Sequence, residues 1–560
     1  MADDVLHVQV PGPVLGVTPF VPIDRRAFLA GALKTGVGVG LGSKALRHPG
    51  RRRTPRDANP VVVSSEPSPP PSAVEYVTRP DLTPVGVAIR SSPSFGVSAQ
   101  ASGYIFCAPK SPHFASPPGS GGPPQAVFPD GADPGLMIFD TSGELVWFKP
   151  LRGPDQIPFN FRVQSYQGRR VLTWFQGQVH AAHGMGHYVL ADATYTAFAQ
   201  VHSTEYPCDL HEFLVTDLGT ALHTAYESRV RPGQVPMFIG HAQEVDIATN
   251  DLLFDWSSYP EVATSLSYVT DNPHYFDYFH INSIDLWPGA ARNLLISSRN
   301  TSAVYLVDRS SSSVSWRLGG KRSDFALGPG ARFYFQHDAR ALSDGSGMSL
   351  FDDASQPAPE AFASGKVLTL DQAAKTASLQ RQFIHTDGEF VTPSQGNLQL
   401  LPNGGHVVGW GYYPFFSAYA PTASLEAPLV LDGRFPAGAA SYRTYLFDWV
   451  GNPPPHELRL VVQETTAPGR VRVFVSWNGA TEVASWQLHA GRNAHSLQSV
   501  ATFPKGGFET VLNAVTTSAR YFQVAALNGA GAVLGSSAIV SASPATGAAP
   551  SARRRHRHTR

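Results

Sequence analysis

Residues 280–320 read HINSIDLWPGAARNLLISSRNTSAVYLVDRSSSSVSWRLGG, in which two to three short strand-like runs are separated by turn residues. Three histidine-led starts mark matching points of one repeated unit, and a related polar start follows them: His211-Glu212-Phe213, His280-Ile281-Asn282, His337-Asp338-Ala339 and Gln395-Gly396-Asn397. The starts lie 69, 57 and 58 residues apart, and each precedes an apolar run typical of a strand. If the units are arranged around an axis, side chains at the same point of each unit converge on that axis.

A strand, a polar turn and a second strand recur at 135–152, 244–256, 304–318 and 367–383. Each copy has an aspartate before its turn and an aromatic residue 7 to 12 positions later: Asp140 and Trp147, Asp246 and Trp256, Asp308 and Trp316, Asp371 and Phe383. Such an aspartate accepts hydrogen bonds from turn N–H groups, and the aromatic ring fills space between neighbouring sheets.

Antiparallel hairpins that repeat every 50 to 70 residues favour a β-propeller with four-stranded blades. Five inner strands are predicted to start near Phe161, His211, His280, His337 and Gln395. A sixth blade would be shared by the 135–152 hairpin and the 425–449 segment. The sequence thus predicts an all-β fold, with a six-bladed propeller over residues 74–451.

The composition fits this class and excludes others. With 560 residues, the chain exceeds one ordinary domain. Lys+Arg and Asp+Glu both number 43, so no overall field points to nucleic acid or to an anionic membrane. Only 15% of the residues are charged, while 51 Gly and 47 Pro are typical of many short strands joined by turns. Cys107 and Cys208 fit no metal-binding spacing; they either form one disulfide or remain two buried thiols.

Residues 1–73 are interpreted as an export signal and a disordered leader rich in Pro and Ser. Arg25 and Arg26 precede a weakly apolar stretch, FLAGALKTGVGVGLGS, and this order resembles a twin-arginine signal. A disordered basic leader is the alternative. The stretch is too short to span a membrane, and no other segment is long enough. The protein is therefore expected to be exported, to the cell envelope or the extracellular space.

The texture changes after residue 454. Residues 455–543 contain short strands, with Trp477 in an early strand and Tyr521 to Ala525 in a later one, and they resemble an immunoglobulin-like or fibronectin type III β-sandwich. Residues 544–560 form a basic tail, which is predicted to be disordered and solvated rather than nucleic-acid binding.

The histidines suggest chemistry. The chain has 20 of them, and any single one in a strand is usually a packed residue. Independent packing needs would not place the same residue type at three equivalent positions. Strand alternation puts Asn282 on the same face as His280, and Arg299 ends the neighbouring strand of that hairpin. Imidazoles, an amide and a guanidinium together suit a tetrahedral oxyanion group, and one imidazole can act as a nucleophile.

Several motifs resemble the arylsulfotransferase family. They are HINS, ISSR, WRLGGKRSDF, FQHDAR and SLFDD between His280 and Asp352, with YVTRPDL (76–82), DLHEF (209–213), QEVD (243–246) and LPNGGHVVGWG (401–411). The resemblance implies a propeller enzyme that moves a sulfuryl group from a phenolic sulfate to a phenolic acceptor through a sulfohistidine, without a nucleotide sulfate donor. It implies that His337 becomes sulfated and that His211, His280, Asn282 and Arg299 line the sulfuryl site.

Two other classes use the same fold. A non-catalytic ligand-binding or adhesion propeller needs no nucleophile. A metal-dependent propeller hydrolase also uses axial histidines, usually with a carboxylate-rich shell, whereas Arg and Asn stand here. The expectation is therefore an enzyme without a metal or another cofactor, whose partners are the two phenolic substrates and not nucleic acid.

Overall fold

The computed structural model describes residues 70–91, 103–111, 128, 131–203, 205–230, 232–270, 274–355, 362–386, 390–467, 469–516 and 518–543. Within these ranges the regular structure consists of strands and two short 3-10 helices, which confirms the predicted all-β class. The predicted export signal and the basic tail lie outside the described residues. Within them, no helix is long and apolar enough to cross a membrane.

The first part of the chain forms thirteen strands and one 3-10 helix. The strands up to residue 201 are β1 (Ala88–Ser91), β2 (Tyr104–Cys107), β3 (Gly135–Phe139), β4 (Leu145–Pro150), β5 (Ile157–Tyr166), β6 (Arg169–His180), β7 (His183–Ala191) and β8 (Ala197–Val201). They are followed by β9 (Cys208–Val215), β10 (Thr220–Arg229), β11 (Met237–Asp246), β12 (Leu252–Ser257), the 3-10 helix Thr264–Leu266 and β13 (Phe276–Asp277).

The middle of the chain continues in the same way. Its strands up to residue 383 are β14 (Ile281–Leu286), β15 (Leu294–Ser298), β16 (Ala303–Val307), β17 (Val314–Gly319), β18 (Ala326–Leu327), β19 (His337–Ala341), β20 (Gly347–Asp352), β21 (Ser364–Asp371) and β22 (Thr376–Phe383). The next are β23 (Asn397–Leu400), β24 (His406–Gly409), β25 (Phe415–Tyr419), β26 (Leu429–Arg434) and β27 (Thr444–Phe447).

These 27 strands form five sheets. The sheet orders are β27-β2-β3-β4, β14-β15-β16-β17, β18-β22-β21-β20-β19, β1-β26-β25-β24-β23 and a nine-stranded sheet that contains β5 to β13. The last consists of two antiparallel groups, β5 to β8 and β9 to β12, which are joined by the pairing of Gly186 with Cys208. Of the predicted sixth blade, the 135–152 hairpin and residues 444–447 share a sheet with β2 between them, whereas residues 429–434 of the 425–449 segment belong to a different sheet.

One strand of each four-stranded group faces the others, and we call β5, β9, β14, β19, β23 and β27 the six inner strands. Neighbours in this order contact one another, and β27 contacts β5. Side chains bond to the backbone of the next inner strand at similar positions: Gln164 to Val215, Asp285 to Ala341, and Gln399 to Leu446. These contacts hold the six strands side by side.

The turn prediction is confirmed at all four hairpins. Each aspartate accepts hydrogen bonds from two N–H groups of its turn, at 2.8–3.0 Å: Asp140, Asp246, Asp308 and Asp371. The four aromatic partners are at most 5% exposed. The aspartates therefore fix the turns, and the rings contribute to the cores.

The chain beyond residue 454 begins with the 3-10 helix Pro455–Glu457 and continues with β28 (Leu458–Glu464), β29 (Arg470–Trp477), β30 (Ser485–Gly491), β31 (Gln498–Pro504), β32 (Glu509–Thr516), β33 (Tyr521–Leu527), β34 (Val533–Ser536) and β35 (Val540–Ser541). The orders β28-β29-β32 and β31-β30-β33-β34 define two sheets, with β35 on β33, and one hydrophobic cluster joins residues of both. The resemblance to a fibronectin type III domain stays a prediction.

Candidate active site

The beginnings of three inner strands bring the predicted residues into one region. His211 lies in β9, His280 immediately precedes β14, and His337 is the first residue of β19. His280 has a φ of 57°, and Gln395, before β23, has a φ of 73°. Such left-handed backbone is strained for residues other than glycine and is found most often at functional sites.

His211 and His280 form a hydrogen-bonded pair. Their Nε2 atoms lie 3.1 Å apart. Asp209 Oδ2 lies 2.6 Å from Nδ1 of His211, and Asp277 Oδ2 lies 2.5 Å from Nδ1 of His280. Burial alone would raise the pKa of each carboxyl group, but the neighbouring histidines hold both pKa values well below the ordinary range. Both carboxylates are therefore ionised and accept the Nδ1–H of their histidine.

Burial and the adjacent histidines lower the pKa of His280 to about 4, against the opposing effect of Asp277. His280 is then neutral at neutral pH, and its Nε2 can only accept. The Nε2 contact consequently needs one N–H between the two rings.

His337 is 1% exposed. Its Nδ1 lies 2.8 Å from Asp353 Oδ2, and its Nε2 accepts the N–H of Gln395 at 3.2 Å. Because Nε2 accepts a hydrogen bond, Nδ1 is the protonated nitrogen of a neutral ring, although its contact with Asp353 lacks hydrogen-bond geometry. Burial, with the charges of Arg299 and of the other histidines, lowers the pKa of His337 well below its ordinary value. Its imidazole is neutral, and the Nε2 lone pair meets only the long Gln395 contact.

Arg299 follows β15 and donates from its backbone N–H to the oxygen of His280, so it stands beside β14 as the sequence predicts. Its guanidinium lies over the ring of Phe335, 4.3 Å from the centroid, and donates to Asn300 Oδ1 and Pro393 O at 2.8 Å. Its Nε is buried without a partner, which leaves a donor for a ligand.

The side chain of Asn282 contacts the backbone of Gln336, whereas that of His280 contacts His211. Its amide donates to the backbone oxygen of Gln336, next to His337, at 2.6 Å, and its Oδ1 is buried without a partner. Strict strand alternation does not reach His280, because that residue is left-handed and the β14–β15 register shifts between Ile281 and Ser283. Asn282 therefore lies on the His337 side of the site and His280 on the His211 side.

Sequence reasoning missed two residues of this region. His183, the first residue of β7, has its ring centroid 5.1 Å from that of His280 and 6.2 Å from that of His211. The sequence feature that could have indicated His183 is the presence of three histidines, His180, His183 and His187, in the β6–β7 hairpin. Tyr442 lies between His211 and His337, with centroid distances of 5.8 and 6.4 Å, and its hydroxyl is buried without a partner.

Sequence reasoning also missed a buried ion network of three arginines and two acids: Arg162, Arg340, Arg443, Glu212 and Asp338. Glu212 accepts hydrogen bonds from all three guanidiniums. Asp338 accepts from Arg340, and Arg443 donates to the backbone of Asn282 at 2.8 Å. The sequence contained an indication of this network, because an acidic residue directly follows both His211 and His337. The network ties the strands that carry these histidines.

Two groups of side chains in this region have the composition of a metal site. They are His183 with Asp209 and His211, and His183 with Asp277 and His280. Within each group, the possible ligand atoms lie within 4.8 Å of one another. The sequence analysis found no carboxylates around the histidines that would suit a metal ion, but the structure places Asp209 and Asp277 there.

Histidines, an arginine and buried donors around a neutral imidazole suit the transfer of an anionic group. Residues 162–422 match the arylsulfotransferase (ASST) family model. This match covers just under half of the chain and contains His211, His280, Asn282, Arg299 and His337. Tyr442 and Arg443 lie beyond its end. The match supports arylsulfotransfer as the activity of this chain. No curated protein matches the sequence significantly.

Solved structures resemble the chain only distantly. A Bacteroides caccae protein of unknown function has 10% identity and a TM-score of 0.36, over 62% of this chain and 99% of its own. A Lactobacillus plantarum protein has 14% identity and a TM-score of 0.33, over 73% and 99%. The periplasmic gluconolactonase PpgL of Pseudomonas aeruginosa has 12% identity and a TM-score of 0.33, over 74% and 100%. None of these likenesses supports a functional statement.

The two cysteines resolve one open alternative. Cys107 and Cys208 are both buried free thiols. Burial raises the pKa of Cys208 to about 12, so this thiol stays protonated and takes no part in the chemistry of the site.

Proposed function

We propose that the protein is an aryl-sulfate sulfotransferase that moves a sulfuryl group from a phenolic sulfate to a phenolic acceptor through a sulfohistidine at His337. The proposal includes a six-bladed propeller over residues 74–451, in which the six inner strands surround the axis. It also includes export by the twin-arginine-like signal, to the cell envelope or the extracellular space.

One observation carries the proposal: His337 is a neutral imidazole surrounded by positive charge. The imidazole supplies the electron pair, and the surrounding cations attract the anionic sulfuryl group. Arg299, His280, His211 and Arg443 are the neighbours whose charge, together with burial, lowers the pKa of His337. The Asp353 carboxyl group lies 2.8 Å from Nδ1, which leaves Nε2 as the attacking atom.

In the first step, Nε2 of His337 attacks the sulfur, the bond from sulfur to the aryl oxygen breaks, and the phenolate leaves with its electron pair. The new N–S bond makes the imidazole ring cationic. Burial raises the pKa of Asp353, while Arg299 opposes this shift, so the Asp353 carboxyl group can take up the Nδ1 proton of the cationic ring. In the second step, the acceptor phenol gives its proton to the phenolate released in the first step and its oxygen attacks the sulfur. The N–S bond then breaks, and its electron pair returns to Nε2 and restores the neutral imidazole. This division gives ping-pong kinetics.

Three groups can stabilise the sulfuryl oxygens. The N–H shared by His211 and His280 turns toward the ligand, Arg299 has a free Nε–H, and the Tyr442 hydroxyl has no other partner. Asn282 holds the backbone of Gln336 and so positions the strand that begins with His337. Donors of this kind, arranged before the reaction, are worth about 10²–10³ in turnover each.

The test mixes the purified protein with 4-nitrophenyl sulfate and no acceptor, then measures the mass of the peptide that contains His337. We expect one added sulfuryl group in the wild type and none in His337→Asn. Release of 4-nitrophenol should continue over many turnovers only when phenol is added. His406→Asn is the matched control, because His406 is a buried histidine of another sheet. An unmodified peptide in the wild type, or full turnover in His337→Asn, would refute the mechanism.

A further inference from the structure

Lys110 comes shortly after β2 and lies beside the segment that leads into the inner strand β27. Its backbone exchanges two hydrogen bonds with that of Ala440, at 3.1 and 3.0 Å. Tyr442, whose ring lies between those of His211 and His337, comes two residues later. Because β2 and β27 are antiparallel, the end of β2 lies at the start of β27. Lys110 therefore stands at the same end of the inner strands as the candidate active site.

The position of Lys110 corresponds to that of Arg299. Each cation follows the second strand of a four-stranded sheet, β2 or β15, whose first strand is an inner strand. Each also lies over an aromatic ring from the next inner strand in the order given above. The Nζ of Lys110 is 3.8 Å from the centroid of Phe159 in β5, and the guanidinium of Arg299 is 4.3 Å from that of Phe335, just before β19. The two cations therefore approach the inner strands in the same way.

Lys110 lacks the partner that a buried cation needs. The residue is 2% exposed, and its Nζ makes no hydrogen bond with any of the described residues. A buried polar group without a hydrogen bond costs free energy. Burial lowers the pKa of Lys110 to about 7, which disfavours the charged form. A bound anion would oppose this shift, because a nearby opposite charge favours the charged amine. The surroundings of Lys110 therefore favour a ligand with a negative charge.

Two aromatic side chains separate Lys110 from the sulfuryl position proposed at His337. The ring centroids of Phe159 and Tyr442 are 5.6 Å apart, and that of Tyr442 is 6.4 Å from that of His337. An anion that Lys110 binds is therefore a second anionic group and not the sulfuryl group itself. The two rings between these positions offer apolar surface along which an aryl ring can pack.

We propose that Lys110 binds a carboxylate on the aromatic ring of the acceptor phenol, so that the enzyme prefers phenols with a negatively charged substituent. This inference rests on the proposed function, which makes a phenol the acceptor. An ammonium group and a carboxylate form a charge-assisted hydrogen bond, which is stronger than a neutral one. A carboxylated phenol gives Lys110 a charged partner, whereas a neutral phenol of the same shape does not.

The binding experiment titrates the full chain calorimetrically with 4-hydroxyphenylacetate and with 4-hydroxyphenylacetamide, in the absence of any sulfate ester. The two phenols have nearly the same shape, and only the first carries a carboxylate. We expect the wild type to bind the carboxylate about 10–100-fold more tightly, as for a hydrogen bond to a charged group. Equal affinity for the two phenols, or binding of neither, would overturn the proposal without the need for any variant.

Lys110→Met removes the charge and nearly keeps the length of the side chain, so it should bind both phenols with the affinity that the wild type has for the amide. Lys375→Met is the control and should bind as the wild type does. Lys375 also lies over an aromatic ring, that of Phe325 at 4.9 Å, but in the turn of the outer β21–β22 hairpin. Thermal melting verifies that both variants fold. A preference for the carboxylate that persists in Lys110→Met would overturn the proposal.

The acceptor experiment measures kcat/KM for the same two phenols with 4-nitrophenyl sulfate as the donor. The carboxylate should be preferred by about 10–100-fold in the wild type and in Lys375→Met, and not in Lys110→Met. Equal kcat/KM for the two phenols in the wild type would overturn the proposal. The calorimetric result needs no turnover, so the two failures are distinguishable. A protein that binds the carboxylate through Lys110 but transfers no sulfuryl group would contradict the proposed function and support the carboxylate site.

Discussion

His211 and His337 are each followed by an acid, and this small sequence feature explains much of the site. The histidine reaches the candidate site, while Glu212 or Asp338 reaches the buried arginines. One pair of adjacent residues therefore serves chemistry and packing together. The same coupling makes the histidine positions depend on charges that take no part in the reaction.

Tyr442→Phe removes a single oxygen from the site. Burial raises the pKa of Tyr442 well above its ordinary value, so the hydroxyl keeps its proton and can donate to a sulfuryl oxygen. We expect kcat for 4-nitrophenyl sulfate to fall about 10²–10³-fold, with unchanged thermal stability, as for other lost transition-state donors. Tyr305→Phe, whose hydroxyl bonds Thr301 in another sheet, is the control. Full activity of Tyr442→Phe would remove this residue from the mechanism.

Glu212→Gln tests the ion network through pH. Burial alone would raise the pKa of Glu212, but Arg340, Arg443 and Arg162 lower it from 4.5 to about 2. Because the folded pKa is the lower one, the stabilisation is fully present above pH 4.5 and is lost as pH falls toward about 2.

We expect Glu212→Gln to reduce the free energy of unfolding at pH 7 by about 3–5 kcal/mol, since the guanidiniums lose their buried partner. The difference in melting temperature from wild type should shrink as pH falls from 4.5 to about 2, as measured by scanning fluorimetry. Asp217→Asn removes an exposed carboxylate that pairs with Arg292 and should melt like the wild type at pH 7. A gap that stays constant with pH would contradict the role of Glu212.

At the scale of the element, the inner strands are linked by side chains that bond to a neighbour's backbone. Gln399 does so twice: its Oε1 accepts the N–H of Leu446 at 2.8 Å and its Nε2 donates to the oxygen of Leu446 at 2.9 Å. These bonds join β23 to β27 where no sheet pairing does. They define how close the two strands come to each other.

Gln399→Ala should therefore destabilise the protein by about 1–3 kcal/mol, since two hydrogen bonds are lost. The measurement is the midpoint of urea unfolding. Leu400→Ala changes the adjacent residue, whose side chain is 51% exposed, and should leave the midpoint nearly unchanged. Equal midpoints for wild type and Gln399→Ala would show that these bonds do not hold the strands together.

The elements also show what the sequence could predict. Repetition identified the strands and hairpins, because Asp140 and its counterparts fix turns locally and their signal lies within a few residues. The prediction that β9, β14 and β19 carry histidines toward one place needed only the repeat. The placement of His183 could not be predicted, because His183 begins β7, which is not an inner strand. Arg443 directly precedes β27 as His280 precedes β14, but no histidine marks that start in the sequence. The left-handed backbone of His280 likewise depends on neighbours from other strands.

At the scale of the whole molecule, the C-terminal sheets bond to the edge of the β27-β2-β3-β4 sheet and to the segment before β1. Asn478 makes two hydrogen bonds with the backbone of Phe148, and Glu509 accepts from Thr78. Tyr195, stacked on Trp147, donates to the oxygen of Gly479. These contacts stabilise one side of the fold.

Deletion of residues 455–560 should lower the melting temperature and the solubility, because it exposes Trp147 and Tyr195, but turnover of 4-nitrophenyl sulfate should persist. The assay compares kcat of the truncated and full-length proteins at a temperature where both are folded. Asn478→Ala is a milder version, which should lower stability without changing kcat. Complete loss of turnover in a folded truncated protein would contradict this division of roles.

The pairing of β2 with β27 has a consequence for synthesis. Cys107 pairs with Thr444, so roughly 340 residues separate the partners, and at about 5–20 residues per second the ribosome needs roughly 20 to 70 s to make them. During that time the edge of β2 that pairs with β27 stays unpaired. It is still unpaired when His211, His280 and His337 have already been synthesised. Premature termination anywhere before residue 444 would leave this edge of β2 unpaired and open to aggregation.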